Sequence, residues 1–367
     1  MPPFALNLEK AKTEYLLVSV SPAINGFGSM LLLAKDEGSP GVHEWVAKTR
    51  SQMTNDEIFR HKLVIIGLHY AVMPTNNWNS FEAYLENLDK TPPSVFREAL
   101  LNAYGNICIT NESLKDKGKP VNWDEALSSP KNYVEFLRHR FGDERIDTEV
   151  ETRAYEYVID PAAMKQLVTG HMRWFWKNHL QAEWARVRPL LEESAKAFNQ
   201  LDYSVMTRID LMRAITGKEF EEKKFHGELE NSKNLVFIPN AHFGPYIQQL
   251  KIKDTLYTYF GAHLPEGSEI RLPELDRAEI VSKLSALADE TRLQILRMIA
   301  ENGEMRSNEI MDAIQLSQPS VSRYLSQLTT NGYLHERRVN GAKVYALNRD
   351  RIEKTLKAVS AFLLDRS

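Results

Sequence analysis

Apolar positions along this chain change period twice. Residues 14–20, Glu-Tyr-Leu-Leu-Val-Ser-Val, form a short run rich in Leu, Val and Tyr that stops at Pro22 and predicts a strand. Beyond Gly41 the spacing becomes helical. Thr54 with Glu57 three residues on makes a capping box ahead of a long helix carrying Ile58, Leu63, Ile66 and Leu68, which Pro74 closes. A helix is predicted from Thr91-Pro92 to Gly105, and Asp160-Pro161 opens the longest helical stretch, which runs into the 190s. The pattern then turns to β. Leu235-Val236-Phe237-Ile238 and Leu256-Tyr257-Thr258-Tyr259-Phe260 are bounded by Pro239, Gly244-Pro245 and Gly261. Strands at both ends of a helical segment predict an α+β body over residues 1–270, an order that allows the terminal strands to pair. Pro265, Gly267, Ser268 and Pro273 mark a linker.

Helical periodicity returns at residue 277. Ile280, Leu284 and Leu287 recur at i, i+4 and i+7 in an amphipathic helix. Asp289 caps a second helix, residues 290–302, in which Leu293, Ile295, Leu296, Met298 and Ile299 predict a core element closed by Gly303. Ser307 caps a short third helix ending at Ile314. The turn Gln315-Leu316-Ser317 leads into a fourth, with Ser317 as cap, Pro319 in the first turn and Val321, Leu325 and Leu328 facing inward. After Asn331-Gly332, residues 333–339 and 342–347 read as two strands joined by Asn340-Gly341, a strong two-residue hairpin signal. A last helix runs from Arg349 to Leu364. This order is that of a winged helix-turn-helix. The fold class is therefore α+β: a mostly helical N-terminal body with a few strands, residues 1–270, then a C-terminal winged helix-turn-helix domain, residues 276–367.

Composition narrows the class of partner. With 43% apolar and 26% charged residues the chain has the make-up of a soluble globular protein. Its longest apolar run, residues 63–68, is far short of the roughly 20 that a bilayer needs, so no membrane partner is expected. The stretch before Glu9 has no basic n-region, so no secretory signal is expected, and the lone Cys108 suits a reducing cytoplasm. The net charge of -3 argues against indiscriminate coating of nucleic acid. Its distribution differs from its total: residues 276–367 carry 14 Lys/Arg against 12 Asp/Glu, leaving 32 against 37 for the remainder. Within residues 318–349 five basic residues, Arg323, Arg337, Arg338, Lys343 and Arg349, meet one acidic residue, Glu336. A small basic patch on an acidic protein is what directed phosphate contact looks like.

Three stretches in this domain carry a resemblance. Residues 287–296, Leu-Ala-Asp-Glu-Thr-Arg-Leu-Gln-Ile-Leu, residues 316–325, Leu-Ser-Gln-Pro-Ser-Val-Ser-Arg-Tyr-Leu, and Asn331-Gly332-Tyr333-Leu334 resemble the arsenic-repressor (ArsR) family of bacterial transcription regulators. The likeness covers the C-terminal quarter of the chain. It implies double-stranded DNA as partner and a homodimer on a palindromic operator. Gln318, Ser320, Ser322 and Arg323 lie opposite the apolar face of the recognition helix, where Gln suits adenine and Arg suits guanine. Ser317 and Tyr324 complete the expected contact set on that helix, and Arg337, Arg338 and Lys343 flank the tip of the wing.

The last helix carries Ile352, Leu356, Val359, Phe362 and Leu363 as an apolar stripe. The family pairs this helix and the first one, with Ile280, Leu284 and Leu287, across a two-fold axis; packing of the stripe on the chain's own N-terminal body is the alternative. Metal-sensing members carry Cys-x-Cys in the third helix, and the matching positions here are Arg306 and Asn308. Others use His and Asp on the last helix, which here contains no His. No metal site is expected at either place.

Weaker motifs are set aside or left open. Gly26-Phe27-Gly28 lacks the third glycine of a dinucleotide loop, since position 31 is Leu31, so no cofactor is expected. His43-Glu44-Trp45 lacks the second histidine of a zincin. His171 and His179 are eight residues apart, about 12 Å along a helix. Aromatics such as Trp174, Phe175, Trp176 and Trp184 on one helix are ordinarily core. Interleaved with His171, Arg173 and His179 they also fit a pocket for an apolar or aromatic ligand, so His171, Trp174, Phe175, Trp176 and His179 are the candidate effector site. Cys108, between apolar neighbours, reads as an inert thiol. The favoured function is a DNA-binding regulator, a repressor whose N-terminal body senses a non-metal small-molecule effector. The alternative is an enzyme in that body with the winged helix used for targeting or autoregulation; no catalytic residue in the sequence supports it.

Overall fold

Thr54 does what its spacing requires. Its Oγ1 accepts from the Glu57 N–H at 3.3 Å while its own N–H donates to Glu57 Oε2 at 2.8 Å, a reciprocal cap that starts a helix. The computed structural model describes residues 15–35, 43–107, 110, 112–203, 206–217, 229, 231–243, 247–252, 254–265, 277–339 and 342–364. Strand β1 (Tyr15–Val18) is followed by α1 (Pro22–Lys35), α2 (Glu44–Gln52), α3 (Asn55–Lys62) and α4 (His69–Val72). Then come α5 (Phe81–Lys90), α6 (Pro93–Asn106), α7 (Trp123–Ala126), α8 (Pro130–Phe141) and α9 (Thr148–Ile159). The long stretch is α10 (Pro161–Phe175) and α11 (Gln181–Asn199), followed by α12 (Arg208–Thr216).

The chain groups into two compact units that do not follow it in order. One is the helical middle, within residues 21–36 and 48–186; the other combines the flanking segments with everything from residue 187. The expected body of residues 1–270 is thus divided between them. In the helical unit the helix expected from the Thr54 cap to Pro74 is interrupted by a π turn, Leu63–Gly67, where the Leu68 N–H reaches back to Leu63 O at 3.0 Å. Gly67 permits the bulge to sit against α9: a Cβ there would lie 2.9 Å from Ala154 Cβ. A second π turn, Trp176–Leu180, separates α10 from α11. Gly26-Phe27-Gly28 lies inside the buried helix α1 and forms no phosphate loop. Its first glycine is there for close approach, since a Cβ would meet Leu180 Cδ2 at 2.8 Å and Phe81 at 3.2 Å.

In the second unit the strands from both ends of the body do pair. β2 (Asn234–Asn240), β3 (Gln248–Ile252) and β4 (Thr255–Gly261) join β1 in a sheet of order β1-β2-β4-β3. β1 runs parallel to β2 from Tyr15↔Asn234 to Val18↔Phe237, β2 is parallel to β4, and β3 is antiparallel to β4. Val18, Phe237, Leu256 and Phe260 pack with Phe198, Leu211, Met212 and Ile215 into one core. β3, Gln-Gln-Leu-Lys-Ile, escaped the sequence reading because an edge strand with so few apolar residues has no distinctive period.

The C-terminal elements are α13 (Arg277–Leu287), α14 (Glu290–Asn302), β5 (Glu304–Arg306), α15 (Ser307–Ile314), α16 (Gln318–Thr330), β6 (Leu334–Val339), β7 (Ala342–Leu347) and α17 (Arg349–Leu364). The three strands form a sheet of order β5-β7-β6. Ile295, Leu296, Ile299, Ile310, Val321, Leu325, Leu328 and Tyr333 make its core. Three local expectations are corrected. Ser307 is the first residue of α15, and Arg306 holds the cap position, its N–H donating to Glu309 Oε2 at 2.7 Å. Leu293 is 51% exposed because it falls on the solvent side of α14. β5 was not expected, since three residues become a strand only where β7 supplies the hydrogen bonds. Asn340-Gly341, Cys108 and the linker signals Gly267, Ser268 and Pro273 lie outside the described residues, while β6 and β7 pair through Val339↔Ala342.

Candidate nucleic-acid interface

The orientation of α16 follows from its buried side. Val321, Leu325 and Leu328 point into the domain, so residues 318, 322 and 323 are turned outward. Gln315 in the left-handed region, at φ 53°, turns the chain out of α15, and Pro319 sits in the first turn of α16. Gln318, Ser322 and Arg323 are exposed, as the spacing required. Ser317 occupies the cap position but makes no side-chain bond to the helix backbone; its hydroxyl lies 3.0 Å from that of Ser320, which is half-buried. Tyr324 is also half-buried and packs on the core. The Arg323 guanidinium lies 5.3 Å from its ring centroid, which steers the arginine along the helix surface.

The wing is less free than its charges imply. Arg337 makes a two-pronged pair with Glu304 of β5, one contact being Nε to Oε1 at 3.0 Å, and this bond holds the Glu304 carboxyl below the usual range. Lys343 Nζ lies 2.9 Å from Glu336 Oε1. Arg338 stands opposite Lys343 in the ladder. Among the described residues Arg323 has no carboxylate partner. Among Arg323, Arg337 and Lys343, the cations of recognition helix and wing whose side chains are described, it is therefore the one that can meet DNA without first giving up an ion pair. Exposed pairs like these are weak, about 0–1 kcal/mol, so a phosphate can replace either carboxylate.

Positioning residues that the sequence did not single out lie behind the helix. Arg292 Nη1 donates to Gln327 Oε1 at 3.2 Å and Nη2 to Ser285 O at 3.0 Å, tying α13, α14 and α16 together. Lys283 donates to Asn331 O at 3.0 Å, and the Tyr333 hydroxyl donates to Lys283 O at 3.0 Å. Arg292 and Gln327 are 35 residues apart, and no local pattern announces such a contact.

Helices α13 and α17 pack together. Of the residues expected at a subunit interface, Ile280 is buried within its own chain at 4% exposure and has no surface to give a partner. Leu287 and Ile352 are half-buried against the domain core, and Val359 is half-buried. Leu284 is at 36% exposure, Leu356 and Phe362 at 53%, Leu363 at 69% and Leu364 at 74%. The outward apolar face is thus narrower at α13 and extends further toward the end of α17 than expected.

The candidate effector residues form packed core rather than an open pocket. His171, Phe175 and Trp176 are buried, Trp174 and His179 half-buried. Trp176 stacks on Phe81 at 4.3 Å, and its Nε1–H donates to Glu82 at 2.8 Å. Phe175 stacks on His61 at 4.6 Å. His61 Nε2–H donates to Met30 O at 2.8 Å, so its Nδ1 is an acceptor for the Nε2–H of His171 at 3.0 Å. Burial pushes His61 down to about 4 and His171 below its ordinary value, so both rings are neutral. Trp45, by contrast, belongs to the other unit and stacks on His242 at 4.3 Å.

An exposed polar helix face, two helices bracing it and a basic hairpin define a winged helix-turn-helix DNA-binding transcription regulator. The family described as bacterial regulatory protein, arsR family, matches residues 289–336. The arsenic resistance transcriptional regulator ArsR2 of Pseudomonas putida is 38% identical over 89 residues, 22% of this chain and 77% of that protein. The transcriptional activator HlyU of Vibrio cholerae is 30% identical over 94 residues, 25% of this chain and 86% of that protein. The crystal structure of NolR from Sinorhizobium fredii shares 32% identity, with 23% of this chain and 85% of that one covered at a TM-score of 0.20. Through its C-terminal domain the chain belongs to the ArsR family. No helix among the described residues is long and apolar enough to cross a membrane.

Proposed function

We propose that the protein is a homodimeric repressor that binds a palindromic operator and answers to a non-metal small molecule bound by its N-terminal body. The observation that carries the dimer is the exposed face of α17, where Leu356, Phe362, Leu363 and Leu364 follow one another on the outside of a folded domain. Two such domains place their recognition helices about 34 Å apart, one turn of DNA, and nuclease protection of two half-sites about 10 base pairs apart tests the arrangement. A single half-site protected by a monomer would overturn it. In this reading the body binds its ligand without transforming it, so the ligand is recovered unchanged after incubation with the protein.

Arg323→Ala is expected to weaken operator binding by about 1–3 kcal/mol and to flatten sequence preference, because the free guanidinium reads a base edge. Lys343→Ala is expected to weaken operator and random DNA alike, and by less, since Lys343 is already paired with Glu336. Equal losses on both DNAs for Arg323→Ala would remove the base-reading role. The metal response is a separate test. Arg306 and Asn308 are exposed on β5 and α15 at the positions where thiolate ligands would be needed. Arsenite, zinc or cadmium at micromolar levels should leave DNA affinity unchanged in a mobility-shift titration; release at stoichiometric metal would contradict the non-metal signal.

A further inference from the structure

Two buried oxygens in the helical unit make no short hydrogen bond among the described residues: Oε2 of Glu151 on α9 and the hydroxyl of Tyr133 on α8, whose polar neighbour is the Tyr104 hydroxyl. Glu151 is 5% exposed and Tyr133 0%. Unmet polar groups at that depth are destabilising, and native structures rarely keep two on neighbouring helices without something to satisfy them. The two helices pack on each other, and the surroundings are aromatic. Tyr133 is 5.8 Å from Tyr155 and 6.5 Å from Tyr104, between centroids; Tyr104 is in turn 5.6 Å from Phe141 and 5.5 Å from Tyr70. The neighbouring hydroxyls are already committed, Tyr104 to Gly67 O at 3.0 Å and Tyr155 to Leu127 O at 2.9 Å. A carboxyl and a phenolic oxygen that can still accept therefore lie on two packed helices among aromatic rings.

We propose that this cluster binds a protonated amine carried on an apolar body, with ammonium N–H groups donated to Glu151 Oε2 and to the Tyr133 oxygen. The tyrosine rings face the cation and receive the apolar part. A quaternary ammonium has no N–H to give, and a neutral alcohol has one donor and no charge, so the primary ammonium fits best. The acidity of the site agrees with this. Burial, then the charge of Asp147 at the N-terminal cap of α9, pushes the Glu151 carboxyl up to about 8, with Tyr104 and Tyr133 the titratable groups near it from α6 and α8. Near neutral pH it is protonated, and an arriving ammonium displaces that proton to solvent.

The site deepens the reading of the body as ligand-binding and rests on it only for the link to DNA. The test is titration calorimetry of the full chain with 4-phenylbutylamine at pH 7, in buffers of different ionisation enthalpy. The expected result is binding with release of about one proton. Affinity should be about tenfold or more weaker for 4-phenylbutanol, for the trimethylated amine and for the Glu151→Gln protein. Tyr133→Phe should weaken it by less. Glu151→Gln should stay folded, with a melting temperature at pH 8 no lower than that of the parent, because the amide removes a buried acid. Absence of binding, equal affinity for amine and alcohol, or unchanged affinity in folded Glu151→Gln would overturn the proposal and leave the two oxygens to ordered water. Operator affinity is read separately: amine binding that leaves it unchanged keeps the site but removes the effector reading of the body.

Discussion

Leu356→Glu combined with Phe362→Glu is expected to yield a folded monomer that no longer holds an operator. Both side chains are half exposed in the protomer, so two carboxylates there cost the fold little. Across a two-fold axis the same change places four charges in an apolar interface, where burial of unpaired charge is far costlier than the contact it replaces. The domain core is untouched: Ile352 packs inward, and Thr355 Oγ1 donates to Arg351 O at 2.9 Å beside the Tyr333 hydroxyl. Loss of the second half-site should lower operator affinity by a factor on the order of 100 or more, because the second binding event is no longer intramolecular. Light scattering and mobility shift on one preparation check both halves. A dimer that survives the double substitution would send the interface to the first 270 residues.

Acidification from pH 7 to pH 5 is expected to destabilise the helical unit by several kcal/mol. Burial holds His61, His171 and His69 below the ordinary 6.5, with His61 and His69 pushed down to about 4. Below pH 6.5 the unfolded chain therefore binds more protons than the folded one. The stability these neutral rings contribute is present above 6.5 and lost as pH falls through their folded values. For His61 alone the full loss is about 3 kcal/mol. Glu151 acts in the opposite sense, since its raised value contributes stability below about 4.5 that is lost as pH rises through about 8. Three imidazoles outweigh one carboxyl, so the net direction is acid lability. Urea midpoints by circular dichroism at the two pH values should fall with acid, and fall more steeply in Glu151→Gln, which lacks the opposing group. A midpoint that rises on acidification would show that the rings are charged in the fold.

What could be read from the sequence is what short-range chemistry decides. Asp289 caps α14 by accepting from the Arg292 N–H at 2.9 Å, and Pro319, Gly332 and the alternation in β6 and β7 act within a few residues of themselves. These signals placed the winged helix, its recognition helix and the ends of α17. They also placed the strands at either end of the body, though not the parallel register that joins β1 to β2 across more than 200 residues.

Periodicity marks which residues can face inward, not what covers them, and there the tertiary structure took over. Ile280 was drawn into the core while Leu293 was left outside. Arg337 and Lys343 were bound by carboxylates, one on β5 and one on β6, so Arg323 alone remained free of them among the cations of recognition helix and wing whose contacts are described. The aromatic run around His171, legible as either pocket or core, became core because His61, 110 residues earlier in the chain, met it with a hydrogen bond and a stacked ring. Glu151 looks in the sequence like any helix-surface carboxylate, and only the packing of α8, α10 and the Leu63–Gly67 turn on α9 makes it a buried acid. By itself the sequence determined a DNA-binding regulator of the ArsR family. The free cation, the exposed apolar face and the buried polar groups were decided by neighbours distant in the chain, because burial, charge pairing and acidity depend on whatever the fold brings within a few ångströms.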